Sequence, residues 1–178
     1  SAQLAAYGRR CELSPSDTVA PLFPHSFLGP IHLQLMTHAS FPFGLLGAVH
    51  LRNHIIQQRP LSDSGCFDVH LSIFQGRRRP QGFEFDLTTE LSVEGATTWS
   101  SCSTFLVREK FAEHDAETAL ARTIANIDGE RGDVGSFAVP ADTGKAFGWL
   151  CRDINPIHTS FVLAKFAFGF ERDLAHGM

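Results

Sequence analysis

The 178-residue chain lacks any apolar run long enough to span a bilayer. The richest run, Phe41 to Leu51, is broken by Pro42, Gly44, Gly47 and His50, so no transmembrane segment is expected. Charge is sparse: Asp, Glu, Lys and Arg make up 19% of the residues and the net charge is −4, which argues against a general nucleic-acid surface. The nine histidines could offset that charge only at acidic pH. Cysteine is also scarce. Cys11, Cys66, Cys102 and Cys151 lie far apart with no Cys-x-x-Cys pair, which argues against a zinc knuckle, and a chain of this size does not imply a disulfide framework. Reduced thiols in an intracellular protein, mitochondrial or cytoplasmic, are the expectation. Neither end resembles a signal peptide, and a start at Ser1 in place of Met implies a natural start that is missing or processed. Ordinary apolar content (43%) describes a globular chain, one medium domain or two small ones.

Pro21 to His38 reads as a helix with Phe27, Ile31 and Leu35 on one face and Leu28 and Met36 beside them. Pro30 predicts a kink there or a helix that starts afresh. Strands follow. Val49, Leu51, Asn53 and Ile55 share one face, with His50, Arg52 and His54 on the other. Val69, Leu71 and Ile73 alternate with polar residues, Gly76 to Gly82 reads as a loop, and Phe83, Phe85 and Leu87 form the next half-buried strand. Glu94-Gly95 is a hairpin signal leading into a strand over Thr97 to Val107. Residues 21–107 therefore read as a helix covering a meander of antiparallel strands, an α+β unit. Residues 109–136, rich in charge and glycine, read as a linker, with a short helix over Glu113 to Ile127. Beyond them, Thr143 to Leu150 and Phe161 to Phe170 read as helices, with Gly169 near a C-cap position.

Between those helices lies Asp153-Ile154-Asn155-Pro156-Ile157-His158, and the chain closes on Ala175-His176-Gly177-Met178. Asn-Pro favours a turn or a first helical position, which lets Asp153 and His158 point into one cleft. If Ser160 caps the next helix, His158 lies near its positive end, where a neutral imidazole can act as a base. Gly177 could offer a backbone N–H to a developing oxyanion. By spacing alone, such a pair is more often structural than catalytic.

The two segments together resemble the MaoC-like, R-specific enoyl-CoA hydratase family. Its motif of Asp, Asn-Pro, an aliphatic residue and His is matched at Asp153, Asn155, Pro156, Ile157 and His158, and its oxyanion glycine at Gly177. Pro24-His25, Phe41-Pro42-Phe43 and Val49 to Asn53 resemble the N-terminal half of double-hot-dog members. The resemblance implies a double hot-dog: a non-catalytic repeat over 14–108, the 109–136 linker, and the start of a catalytic repeat over 137–178, with this second repeat incomplete. It implies reversible hydration of trans-2-enoyl thioesters to (R)-3-hydroxyacyl thioesters in fatty-acid metabolism. Asp153 and His158 would activate water, the Gly177 N–H would polarise the thioester carbonyl, and Asn155 and His176 would bind substrate. No cofactor is implied beyond the coenzyme A or acyl carrier protein of the substrate. In the family the central helix of the catalytic repeat begins just after His-Gly-Met, so a homo-oligomer, a longer chain or a partner chain would complete it. Two other readings are a catalytically inactive relative serving as a structural subunit and, less consistent with the Asn-Pro-His turn, a hot-dog thioesterase.

Three further features stand outside these two segments. His25 and His32, seven apart, and His50 with His54 could pair on a metal, but no carboxylate or cysteine lies at ligand spacing, so no metal site is expected. Arg77-Arg78-Arg79 reads as a solvated loop tip or as a contact for coenzyme A phosphates. The 16 phenylalanines read as core and as walls for an acyl chain.

Overall fold

The computed structural model describes residues 2–44, 48–108, 138, 140, 142–153, 156–166, 169 and 171. Helix α1 spans Ala2–Arg10 and α2 spans Phe23–Met36. Strands β1 (Ala48–Gln57), β2 (Asp68–Arg79), β3 (Gly82–Val93) and β4 (Ala96–Arg108) form an antiparallel sheet in the order β1-β4-β3-β2. Helices α3 (Thr143–Cys151), α4 (Pro156–Thr159) and α5 (Phe161–Phe166) follow. The expected linker and its helix lie outside the described residues.

Only β2-β3-β4 is a meander. Pro80-Gln81 turns β2 into β3, and Glu94 and Gly95 turn β3 into β4 with φ of 51° and 75°, the left-handed pair that a tight hairpin requires. The β1–β2 connection closes no hairpin. It buries Leu61, whose carbonyl accepts from the Val19 N–H, and bridges Ser62 to Thr18. That leaves β1 to pair with β4. The expected loop at Gly76 to Gly82 is mostly strand: β2 runs on to Arg79 through a bulge between Phe74 and Arg77.

Helix α2 passes through Pro30 as one element. Its buried face also differs from the one apolar spacing picks out. Ile31 is exposed, whereas His25, Leu28, His32 and Met36 are buried. Polar groups on the sheet make this possible: His32 Nε2 pairs with Thr89 Oγ1 at 2.9 Å, and Asn53 Nδ2 donates to His25 Nδ1 at 3.0 Å. A buried imidazole is tolerated where such partners replace water.

The apolar core joins α1, α2, α3 and the β3–β4 end of the sheet. Tyr7, Phe23, Leu28, Leu91, Trp99, Phe147 and Cys151 form it, with Tyr7 edge-on to Phe23 at 5.2 Å. Each such side chain contributes about 1.5–3 kcal/mol by leaving water. Trp99, fully buried, satisfies its indole N–H on the Pro21 carbonyl at 2.8 Å.

The arginine run is not a solvated tip. Arg77 makes a two-pronged ion pair with buried Asp86 at 2.8 and 3.0 Å and also binds Glu84 at 3.1 Å. Glu84 accepts from Arg79 at 3.2 Å, Thr104 donates to Asp86 at 2.6 Å, and Arg78 alone of the three is exposed. Pairing holds the Arg77 guanidinium firmly charged, Asp86 contributing most, and its hydrogen bonds pull the Glu84 carboxyl below its usual range against the effect of burial. No described helix is long and apolar enough to cross a membrane.

Candidate active site

Asp153 owes its place to the end of α3. The helix closes with Arg152 in the left-handed region (φ 57°, ψ 25°); the Asp153 N–H then reaches back to the Gly148 carbonyl at 2.9 Å and the Arg152 N–H to Trp149 at 3.4 Å. This is a Schellman cap, built here without glycine at a cost of about 1 kcal/mol. Gln3 Nε2 donates to the Leu150 carbonyl at 2.9 Å, tying α1 to the same turn.

The capped end is seated on α2. A Cβ at Gly29 would meet the Cys151 carbonyl oxygen at 3.4 Å, ordinary contact distance, so the end of α3 lies against the α2 backbone here with room for no larger side chain. Burial pushes the Cys151 thiol up to about 12, against a hydrogen bond from Ser26 that favours the thiolate. Asp153, half-buried, thus follows a helix end anchored beside Ser26 and Gly29, next to His25 on the same helix.

His25 is the centre of a ring cluster. His50 stacks on it at 5.6 Å and 10°, and His32 meets it edge-on at 5.4 Å. The bulge between His50 and Arg52 explains why His50 is there: it shifts the strand's phase, so His50 joins Asn53 and Ile55 on the face towards α2 instead of standing opposite them. His50 in turn stacks on Phe105 at 4.8 Å, and Phe105 on Phe85 at 5.5 Å, which extends a wall of near-parallel rings across β1, β4 and β3. Phe85 is edge-on to Phe41 at 5.4 Å, and Phe43 lies over Phe83 at 4.7 Å.

Burial pushes His25 down to about 3, reinforced by His32 and His50, while the Asp153 charge opposes the fall. Burial likewise takes His32 to about 4, with His50 adding to it. What packs round His50 lowers it too, opposed by the Arg52 backbone and by Asp153. The charge of Asp153 therefore acts on two histidines of the first unit. Among the described residues no group of three His, Cys, Asp or Glu is arranged to hold a metal.

His158 lies in the last turn of α4, a helix that starts at Pro156 and packs against α3. Ser160 does cap α5: its hydroxyl accepts the Leu163 N–H at 3.3 Å. Gly169 (φ 73°) closes that segment, its N–H bonded to the Lys165 carbonyl at 3.2 Å. Asn155, His176 and Gly177 lie outside the described residues. The sequence offers His25 and His50 as weak metal candidates and within segments resembling the N-terminal half of double-hot-dog members, and gives neither a part in the site. The seven-residue spacing of His25 and His32, two turns of one helix, was the available signal that they share a face.

No family model matches the chain. It is 30% identical to 3-hydroxyacyl-thioester dehydratase X of Mycobacterium tuberculosis over 99% of its own length, and spans 62% of that curated relative. A crystal structure of HtdX from the same organism superposes with a TM-score of 0.80 at 27% identity, covering 99% of this chain and 66% of that one. A MaoC-like dehydratase from Phytophthora capsici gives 0.74 at 19% identity over 99% and 66%, a likeness of fold. The helix-on-sheet unit is thus a hot-dog, the fold of these dehydratases, to which the chain is similar.

Proposed function

We propose that the protein hydrates trans-2-enoyl thioesters and dehydrates (R)-3-hydroxyacyl thioesters. The observation that carries this reading is the Schellman cap that fixes Asp153 at the end of α3, where Cys151 lies against α2, with His158 following on α4. In the hydration direction Asp153 and His158 hold one water. Its hydroxyl adds to Cβ and a proton goes to Cα on the same face, so the elements of water are conserved. Negative charge passes to the thioester carbonyl oxygen, where the Gly177 N–H would receive it. One such donor contributes about 3 kcal/mol. Asn155 and His176 would hold the substrate, coenzyme A or acyl carrier protein entering with it, and no further cofactor takes part. The likeness to a 3-hydroxyacyl-thioester dehydratase supports the same chemistry.

Helix α5 exposes Phe161, Val162, Leu163 and Phe166, the last at 78%. We propose that a homo-oligomer contact or a partner chain covers them. Four unpaired cysteines fit an intracellular, mitochondrial or cytoplasmic setting. The test is the loss of enoyl absorbance from trans-2-enoyl-CoA. His158→Ala is expected to lower the rate by about 10²–10⁴ with the fold kept. Wild-type protein that binds the thioester and never hydrates it would refute the proposal.

A further inference from the structure

The hydratase reading assigns the chemistry to residues after 150, yet the described surroundings of Asp153 come partly from the first unit. Ser103 donates to Asn53 Oδ1 at 3.4 Å, which turns the Asn53 amide nitrogen towards His25 Nδ1 at 3.0 Å. An accepting Nδ1 places the proton of the neutral ring on Nε2. The His50 and His32 rings then fix the plane of His25 from two directions. Cys151, two residues before Asp153, meets α2 at Gly29, one turn along the helix from His25, and the Asp153 charge acts on His25. Neither the stacking nor the amide clamp is needed merely to fill a core, where an apolar side chain would pack without polar partners.

We propose that His25, clamped as its Nε2–H tautomer by Asn53, is a positioning residue that holds Asp153 as an oriented carboxylate for the reaction. A neutral N–H beside a carboxylate stabilises the anion without neutralising its charge. The charged group acting on His25 from just past the end of α3 is Asp153, with His50 stacked on it from β1 and His32 from its own helix. The inference rests on the catalytic reading of Asp153 only for its effect on rate. The coupling between the two residues is testable apart from it.

Two readouts separate these. The side-chain carboxyl of Asp153 is titrated by carbon-13 NMR in wild type, His25→Phe and His25→Gln, and each protein is assayed with trans-2-enoyl-CoA over pH. His25→Phe keeps a flat ring and removes the N–H, so the Asp153 midpoint should rise by about 0.5–1 pH unit, and the acidic limb of the kcat profile with it. kcat should fall about tenfold at neutral pH while KM holds, and His25→Gln, which can donate from the equivalent position, should restore most of both. If His25→Phe does not fold, Asn53→Asp decides. It draws the ring proton to Nδ1, so under the proposal it too must move the Asp153 midpoint. An Asp153 midpoint unmoved by every folded variant overturns the proposal. A moved midpoint in a protein with no hydratase activity keeps the coupling and refutes the catalytic reading instead.

Discussion

Acidification from about pH 7 to about pH 5 should remove a large part of the protein's stability, because α2 buries His25 and His32 as neutral rings. Their exposures are 8% and 4%, and their folded values lie at about 3 and about 4. In the unfolded chain both titrate near the ordinary value of about 6.5. Folded values below unfolded ones mean that the unfolded state binds the extra protons. Stability is then complete above about 6.5 and is lost as pH falls towards the folded values. Integrated over that window, each ring accounts for about 2 kcal/mol, and the two for about 4 kcal/mol. A domain typically holds about 5–15 kcal/mol. The carboxylate Glu84 has its folded value lowered, so its own contribution is lost only below the usual carboxylate range, outside the window. Urea unfolding at about pH 7, 6 and 5, followed by the fluorescence of buried Trp99, reads the slope. His32→Met should lower the pH dependence by about half. A midpoint flat across the window, at constant m-value, would refute neutral burial of these rings.

Three other perturbations follow from the described contacts. Asp86→Ala leaves the Arg77 guanidinium, 13% exposed, without its two-pronged partner, and should cost about 3 kcal/mol or more in denaturant unfolding, against a smaller loss for Glu84→Gln. Gly29→Leu drives a side chain into the Cys151 carbonyl and should cost about 1–3 kcal/mol, with hydratase activity falling further than stability; Gly29→Ala, at ordinary contact distance, should be tolerated. Arg152→Val, a β-branched residue forced to φ 57°, should destabilise by about 1–2 kcal/mol in thermal melts and misplace Asp153, whereas Arg152→Gly should hold the cap.

The sequence displayed those parts of the fold that depend on near neighbours. The Glu94-Gly95 turn, the Ser160 cap, Pro156 at the start of α4 and Gly169 with its positive φ each depend on chemistry within a few residues. The strand order was hidden, because pairing β1 with β4 depends on how Leu61 and Ser62 dock against Val19 and Thr18, more than 40 residues earlier. The facing of His50 was hidden as well, since strict alternation has no place for a bulge. The buried face of α2 was misjudged because polar residues were assigned outward, and only the Asn53 and Thr89 partners on the sheet make His25 and His32 interior residues. The solvated-tip reading of Arg77 fails for the same reason: its partners Glu84 and Asp86 lie across a hairpin. At the candidate site, the Asp-to-His motif was legible as a pattern of residue types. The histidine cluster behind Asp153 was not, since it is assembled from α2 and β1.

The central claim is tested most directly by one comparison, the rate at which wild-type protein and Asp153→Asn consume trans-2-enoyl-CoA, at matched circular dichroism spectra. The proposed mechanism predicts steady hydration by wild type to the (R)-3-hydroxyacyl product and a loss of about 10²-fold or more in the variant. Equal rates in the two proteins, or none in a wild type that binds the thioester, would contradict it.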